Sequence, residues 1–224
     1  MCSPRTFHQD TRKDATINPP QDRFQILFIC TGNRARSAMA EAFLRQHVGD
    51  LPVDVASAGL LDLEPGPALP EATRACRAMG IDLTGHLSKP LRHAKASDSD
   101  LVIGFELQHA ASAVVEARAD VRKTFLMAEL HGLLERLPRP TEDLSPVERA
   151  RARVLAADEL RSRDGWMLTL EDQIDDPFGR PSKEFEALSS RLWGLSEHLA
   201  KDLFGSEPKA RPSQETPAGR RLSW

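Results

Sequence analysis

The first uninterrupted block of apolar residues is Ile26, Leu27, Phe28, Ile29 and Cys30, after a polar amino-terminal stretch. A block this short, bounded by a loop, reads as a strand with both faces buried. From Ser37 onward, Ala38, Met39, Ala40, Glu41, Ala42, Phe43 and Leu44 combine good helix formers with apolar spacing, so a helix begins there. The alternation continues along the chain. Strands are expected at 53–57, 101–104 and 121–125, and helices at 70–79, closed by Gly80, and at 106–116 and 128–136. The last long helix spans 183–203, where Phe185, Leu188, Leu192, Leu195 and Leu199 fall at i, i+3, i+4 spacing. Strand and helix in alternation are the pattern of an α/β fold, a parallel sheet covered by helices on both faces.

One stretch departs from the alternation. Between 137 and 170 stand Pro138 and Pro140, then Ser145-Pro146-Val147-Glu148, a capping box with proline at the first helical position. A helix over 146–163 follows. Its arginines, Arg149, Arg151, Arg153, Arg161 and Arg163, interleave with acidic residues and few large apolar ones, which reads as a solvated helix, with a basic docking surface for an acidic partner as the alternative.

The chain of 224 residues is 40% hydrophobic, enough for one domain with a real core. That domain is placed at 23–205, with a helical insertion at about 138–165. Residues 1–22, with Asn18-Pro19-Pro20, and residues 206–224 are poor in apolar side chains and are expected to be flexible tails. No apolar run approaches the roughly 18 to 20 residues of a membrane span, and the polar start lacks a signal core. The expectation is a cytoplasmic protein without membrane contact. A formal charge of −3 argues against a generally basic nucleic-acid surface. Cys2, Cys30 and Cys76 form no CxxC or Cys/His ligand spacing, so they are expected to be free thiols, and neither a metal nor another cofactor is expected.

Chemistry is concentrated after the first strand. Cys30 stands at its carboxyl end, and the loop Thr31, Gly32, Asn33, Arg34, Ala35, Arg36 leads to a helix amino terminus, where unpaired N–H groups and the dipole favour an anion. Such surroundings, with Arg36 nearby, favour a thiolate at Cys30. Arg36 offers a planar fork for two oxygens of a phosphate or another tetrahedral oxyanion. Gly32 and Asn33 suit positive-φ turns that aim successive N–H groups inward. Expelling an alkoxide or phenoxide then needs a proton donor. Within Asp172-Gln-Ile-Asp-Asp-Pro-Phe-Gly-Arg-Pro181, Pro177 disfavours helix at Asp176 and leaves its carboxyl presented from a loop. Asp176 is the candidate acid, protonated while Cys30 is ionised, and Asp175 is the alternative.

Four motifs in order, Cys30-Thr-Gly-Asn-Arg-Ala-Arg-Ser37, Ser57-Ala-Gly59, Gly80-Ile-Asp-Leu-Thr-Gly-His86 and Asp175-Asp-Pro-Phe178, resemble the low-molecular-weight protein tyrosine phosphatase family, which includes thioredoxin-coupled arsenate reductases. The resemblance spans about residues 23–205. It implies a three-layer αβα fold around a four-stranded parallel sheet, with the site at the strands' carboxyl ends. It implies attack by Cys30 on phosphorus and a phosphocysteine that water hydrolyses with Asp176 as base. In that scheme Arg36 and the loop amides of residues 31–36 hold the equatorial oxygens, Ser37 supports the Cys30 thiolate as leaving group, and Asn33 braces the loop.

Three departures from the family pattern qualify the substrate. Ala35 replaces a second cysteine, so an oxidised Cys30 has no neighbouring partner for a protective disulfide. Arg34 adds charge at the rim. The segment after the acid offers Phe178 followed by Gly179, and the chain has no tyrosine, which leaves phosphotyrosine preference open. The leading expectation is a metal-independent phosphomonoesterase acting on a phosphoprotein or small phosphorylated substrate, phosphotyrosine or a related aryl phosphate. The alternatives are an arsenate reductase using an external thiol, since residues 104–111 contain no relay cysteines, and an oxyanion-binding regulatory module with little turnover.

Overall fold

The computed structural model describes residues 22–138, 143–163 and 170–206. Four parallel strands, β1 (Phe24–Cys30), β2 (Val53–Gly59), β3 (Leu101–Gly104) and β4 (Thr124–Leu126), form one sheet in the order β2-β1-β3-β4. Strand β1 is central, pairing with β2 through Cys30↔Gly59 and with β3 through Ile29↔Gly104. Its continuous apolar run follows from that position, since a strand flanked on both sides and covered on both faces has no solvent-facing positions to fill. The order reverses direction between β1 and β3, so the loops leaving those two strands diverge and open a crevice at their carboxyl ends.

Among the described residues, six α-helices surround the sheet: α1 (Arg36–Val48), α2 (Pro70–Arg77), α3 (Leu107–Val115), α4 (Met127–Arg136), α5 (Pro146–Arg163) and α6 (Ser182–Phe204). The larger core joins Phe24, Ile26 and Phe28 of β1 to Met39 and Phe43 of α1 and to Phe185, Leu192 and Phe204 of α6. Phe24 meets Phe204 edge-on at 5.4 Å. The opposite face is a smaller cluster, in which Leu27 and Ile29 pack with Val102 and with Ala113 of α3. Cys76 lies in the larger core, fully buried, and burial pushes its thiol up to about 12.

Two expectations are corrected. The fourth strand begins at Thr124 rather than at 121, because Val121–Lys123 form a 3-10 turn in which the Asp120 side chain accepts from Arg122 N. Helix α5 is neither solvated all round nor a free basic surface. Val147, Ala150, Val154, Ala157 and Leu160 form a buried stripe, hard to see in the sequence because its members are small. The arginines bind within the fold. Arg151 pairs with Asp100 and Asp22, Arg153 donates to the carbonyls of Pro138 and Leu134, and Arg161 donates to those of Thr124 and Val121 while lying over the Phe125 ring. Asp22, Asp100 and Thr124 stand at the amino-terminal ends of strands, so α5 packs at the end of the sheet opposite Cys30. Apart from Asp22 and Ser206, the expected tails at 1–22 and 206–224 lie outside the described residues, as do Cys2 and Pro140. No described helix is long and apolar enough to cross a membrane.

Glu129 of α4 is almost fully buried and relies on Leu126 N at 2.9 Å and Arg161 at 3.4 Å. Burial raises its carboxyl above the ordinary 4.5, opposed by those two partners. Removing Arg161 leaves the buried charge without its counter-ion, so Arg161→Ala should cost about 3 kcal/mol in urea unfolding near neutral pH. A raised folded-state carboxyl pKa adds no penalty below the unfolded value, where both states are protonated, and a growing one as pH rises through it. The cost of Arg161→Ala should therefore shrink as pH falls towards 4.5; equal costs at neutral and acidic pH would remove Glu129 from the explanation.

Candidate active site

Cys30 ends β1 with 3% of its surface exposed, and the chain turns sharply over residues 31–35 before α1 begins at Arg36. The turn depends on Asn33, which takes φ 52 in the left-handed region that asparagine tolerates better than most side chains. Gly32 does not share that conformation, so the expected pair of positive-φ residues is a single one. Asn33 is held at every polar atom: its carbonyl accepts from His86 Nε2 at 2.7 Å, its Oδ1 from Lys89 N at 2.8 Å, and its Nδ2 donates to Ser37 at 2.9 Å and Ser57 at 2.7 Å. Its remaining group, the backbone N–H, donates to Cys30 Sγ at 3.3 Å. Ser57 in turn donates to Glu41 of α1.

The sulfur has a second partner in Ser37 Oγ at 3.0 Å. Ala35, the residue before α1, supplies no side-chain cap, and the first turn of the helix carries no acidic residue. Its N–H groups and the positive end of its dipole are therefore left for an anion.

Arg36 is 1% exposed, and three segments meet on its guanidinium. Nη1 donates to Glu106 at 2.5 Å and to the Ile174 carbonyl at 2.9 Å; Nη2 donates to Asp176 Oδ2 at 2.6 Å and to Thr31 Oγ1 at 3.1 Å. Nε is buried with no hydrogen-bond partner among the described residues. A buried donor left unpaired on an otherwise fully engaged guanidinium is costly, and an oxyanion in the cradle would satisfy it. Burial would raise the Glu106 carboxyl, but the hydrogen bonds from Arg36 and Gln108 outweigh it and hold the group below its usual range.

The loop bearing the candidate acid is pinned to the turn after β3, with Ile174 N donating to the Phe105 carbonyl at 2.8 Å and Leu107 N donating to Gln173 at 3.2 Å. Asp176 Oδ1 accepts from Phe178 N at 3.0 Å, a local turn that leaves Oδ2 for Arg36. Asp175 points to solvent. The structure thus gathers Thr31, Arg36, Ser37, Asn33, Cys30 and Asp176, and leaves Phe178 at 73% exposure. Arg34 does not project freely at the rim. Its Nε donates to the Pro67 carbonyl at 2.9 Å, which ties the side chain to the segment before α2. Ala35 is packed in the core.

Glu106, His109, His86, Ser57 and Glu41 are the members that the motif reading did not assign a role. Glu106 and His109 carried a usable signal, an acidic residue and a ring nitrogen three apart at a helix start; there His109 replaces the usual Glu or Gln of a capping box.

The family model described as low molecular weight phosphotyrosine protein phosphatase matches residues 25–136, half of the chain. Among curated proteins, the chain is similar to the low molecular weight protein-tyrosine-phosphatase Etp of Escherichia coli K12, with 34% identity over 104 residues, 46% of this chain and 69% of that protein. It is also similar to the protein-arginine-phosphatase of Bacillus subtilis, with 40% identity over 86 residues, 38% of this chain and 57% of that protein. Among solved structures, the low molecular weight protein tyrosine phosphatase from T. tengcongensis aligns with a TM-score of 0.59 at 26% identity, covering 80% of this chain and 99% of that one.

Gly59 tests how tightly the cradle is built. A Cβ there would lie 2.8 Å from both Asn33 N and Gly32 C, backbone atoms that cannot swing aside. Gly59→Ala should cost about 1–3 kcal/mol of stability and weaken binding of inorganic phosphate at least about tenfold, because displaced amides lose charge-assisted bonds. Unchanged phosphate affinity by calorimetry would mean that the loop yields without loss of shape.

Proposed function

The chain belongs to the low molecular weight phosphotyrosine protein phosphatase family, and from that premise we propose that it hydrolyses phosphomonoesters, phosphotyrosine or a related aryl phosphate, through a phosphocysteine on Cys30. The observation that carries the reading is the convergence of a thiol, a buried guanidinium with a free Nε and a loop carboxyl on one crevice. A dianionic phosphoryl group enters the cradle and binds Arg36 and the loop amides, competing with Asp176 for Nη2. Released from its cation, the protonated Asp176 carboxyl faces the ester oxygen as the general acid. The Cys30 thiolate attacks phosphorus as the bond to the ester oxygen breaks, and that oxygen takes the Asp176 proton. Water then attacks the phosphocysteine, gives its proton to Asp176, and the thiolate leaves with Ser37 Oγ donating to it.

A second reading of the substrate is phosphoarginine on a protein. It is favoured by the similarity to a protein-arginine-phosphatase and by a rim whose one aromatic residue after the acid, Phe178, stands mostly in solvent. Both readings use the same phosphocysteine. Among the described residues, arsenate reduction would find no second reactive thiol, since Cys76 is buried in the core with its thiol pushed up to about 12.

Purified protein should hydrolyse para-nitrophenyl phosphate with chelator present, and Cys30→Ser should abolish the activity. Asp176→Ala should slow phenyl phosphate by about 10²–10⁴ and para-nitrophenyl phosphate, with its better leaving group, by much less. Activity that survives Cys30→Ser would refute the mechanism, and equal losses on both esters would remove Asp176 as the acid. The ratio of kcat/KM on phosphotyrosine and phosphoarginine peptides of one sequence decides between the two substrates.

A further inference from the structure

Thr31 follows the nucleophile, and its hydroxyl lies between the Arg36 guanidinium and the turn after β3. Arg36 Nη2 donates to Thr31 Oγ1 at 3.1 Å, and His109 Nε2 lies 3.1 Å from the same oxygen. The other ring nitrogen fixes the direction of the second bond. His109 Nδ1 accepts the backbone N–H of Glu106 at 3.0 Å and faces that of Phe105 at 3.4 Å, so it carries no proton. The imidazole is therefore neutral with its hydrogen on Nε2, and Nε2 donates to Thr31. The surroundings agree, because the ring is fully buried, and burial reinforced by the Arg36 charge pushes its pKa down to about 4.

A hydroxyl has two lone pairs and one hydrogen. Both lone pairs of Thr31 Oγ1 are engaged, by Arg36 and by His109, and among the described residues no carbonyl or carboxylate takes the hydrogen. The hydroxyl is thus restricted to donating, and it is tied to the same Nη2 that holds Asp176.

We propose that Thr31 Oγ1 donates a hydrogen bond to an equatorial oxygen of the phosphoryl group held by Arg36, and that His109 is the positioning residue that restricts this hydroxyl to donation. The inference rests on the phosphomonoesterase reading. In-line transfer at phosphorus spreads negative charge over the equatorial oxygens, and a donor already oriented towards them needs no reorganisation during the reaction. A hydroxyl also adds a donor at the clamp without adding a third charge beside Arg36 and the anion. Neutral His109 can play this part only because two backbone N–H groups exclude a proton from Nδ1; an imidazolium there would have to break both bonds.

Thr31→Val keeps the side-chain shape and deletes the hydroxyl. With the full chain, it should weaken binding of inorganic phosphate by calorimetry, and lower kcat/KM on para-nitrophenyl phosphate, by about 10- to 100-fold. Thr31→Ser should recover most of both losses. His109→Ala should weaken phosphate binding in the natural background but cost nothing further when added to Thr31→Val, the non-additivity expected of residues acting as one unit. If that variant does not fold, His109→Gln, whose amide N–H reaches the Nε2 position, takes its place and should retain more phosphate affinity than Thr31→Val. Phosphate affinity within twofold of the natural chain in Thr31→Val, a Thr31→Ser variant as weak as Thr31→Val, or full additivity of the two substitutions would each overturn the proposal. Because phosphate binding is read without turnover, absence of Cys30-dependent hydrolysis would refute the functional reading while these comparisons still decide the role of Thr31.

Discussion

The buried guanidinium of Arg36 is the constraint on which the rest of the site depends. A cation removed from water must be surrounded by acceptors or it destabilises the fold, and here the acceptors come from three separate segments. Glu106 arrives on the turn after β3, Ile174 and Asp176 on the segment before α6, and Thr31 on the loop that also carries the nucleophile. Satisfying one buried charge therefore assembles the site. The segment 173–176 has few apolar residues of its own, and its place follows from Ile174, whose side chain is buried while its N–H and carbonyl bind Phe105 and Arg36.

The same interaction links acid and anion. Asp176 serves as counter-ion to Arg36, which keeps the carboxylate in place and compensates the guanidinium. In the proposed reaction a bound dianion would take over that compensation and release Asp176 from Arg36. Glu106 does not compete in this exchange, because Nη1 and the N–H groups of its own helix start keep it on the far side of the guanidinium. Two carboxylates on one arginine would thus differ in role in the proposed reaction, the one next to the turn after β3 permanent and the one on the loop exchangeable.

Much of this was legible in the sequence because the nucleophile, the clamp and the turn residue between them lie within seven consecutive positions, where local chemistry suffices. Asp176 was readable through Pro177, which forces a loop. Glu106 and His109 were not assigned, since their importance arises only when β3 is placed beside β1, a pairing that sequence spacing does not reveal. Gly32 was given a conformation that Asn33 alone adopts, because the two residues are equally permissive and only the fixed path from β1 to α1 chooses between them. The path of α5 was misjudged for a related reason. Its buried stripe is built of Val and Ala, and its apolar signal is weaker than the charge pattern beside it.

The position of α5 separates what stabilises the sheet from what acts at its other end. Along the amino-terminal ends of the strands, Arg149 reaches the Phe204 carbonyl, Arg151 reaches Asp22 and Asp100, and Arg161 reaches the carbonyls of Val121 and Thr124. Arginine suits this task because one planar fork can satisfy several carbonyl or carboxylate oxygens while its stem covers apolar surface, as Arg161 does over Phe125. Helix α5 thus packs away from the loops after β1 and β3. If the crevice binds the proposed substrate, its choice would be set by the exposed Leu61 and Leu63 after β2 and by Phe178 after Asp176 rather than by α5.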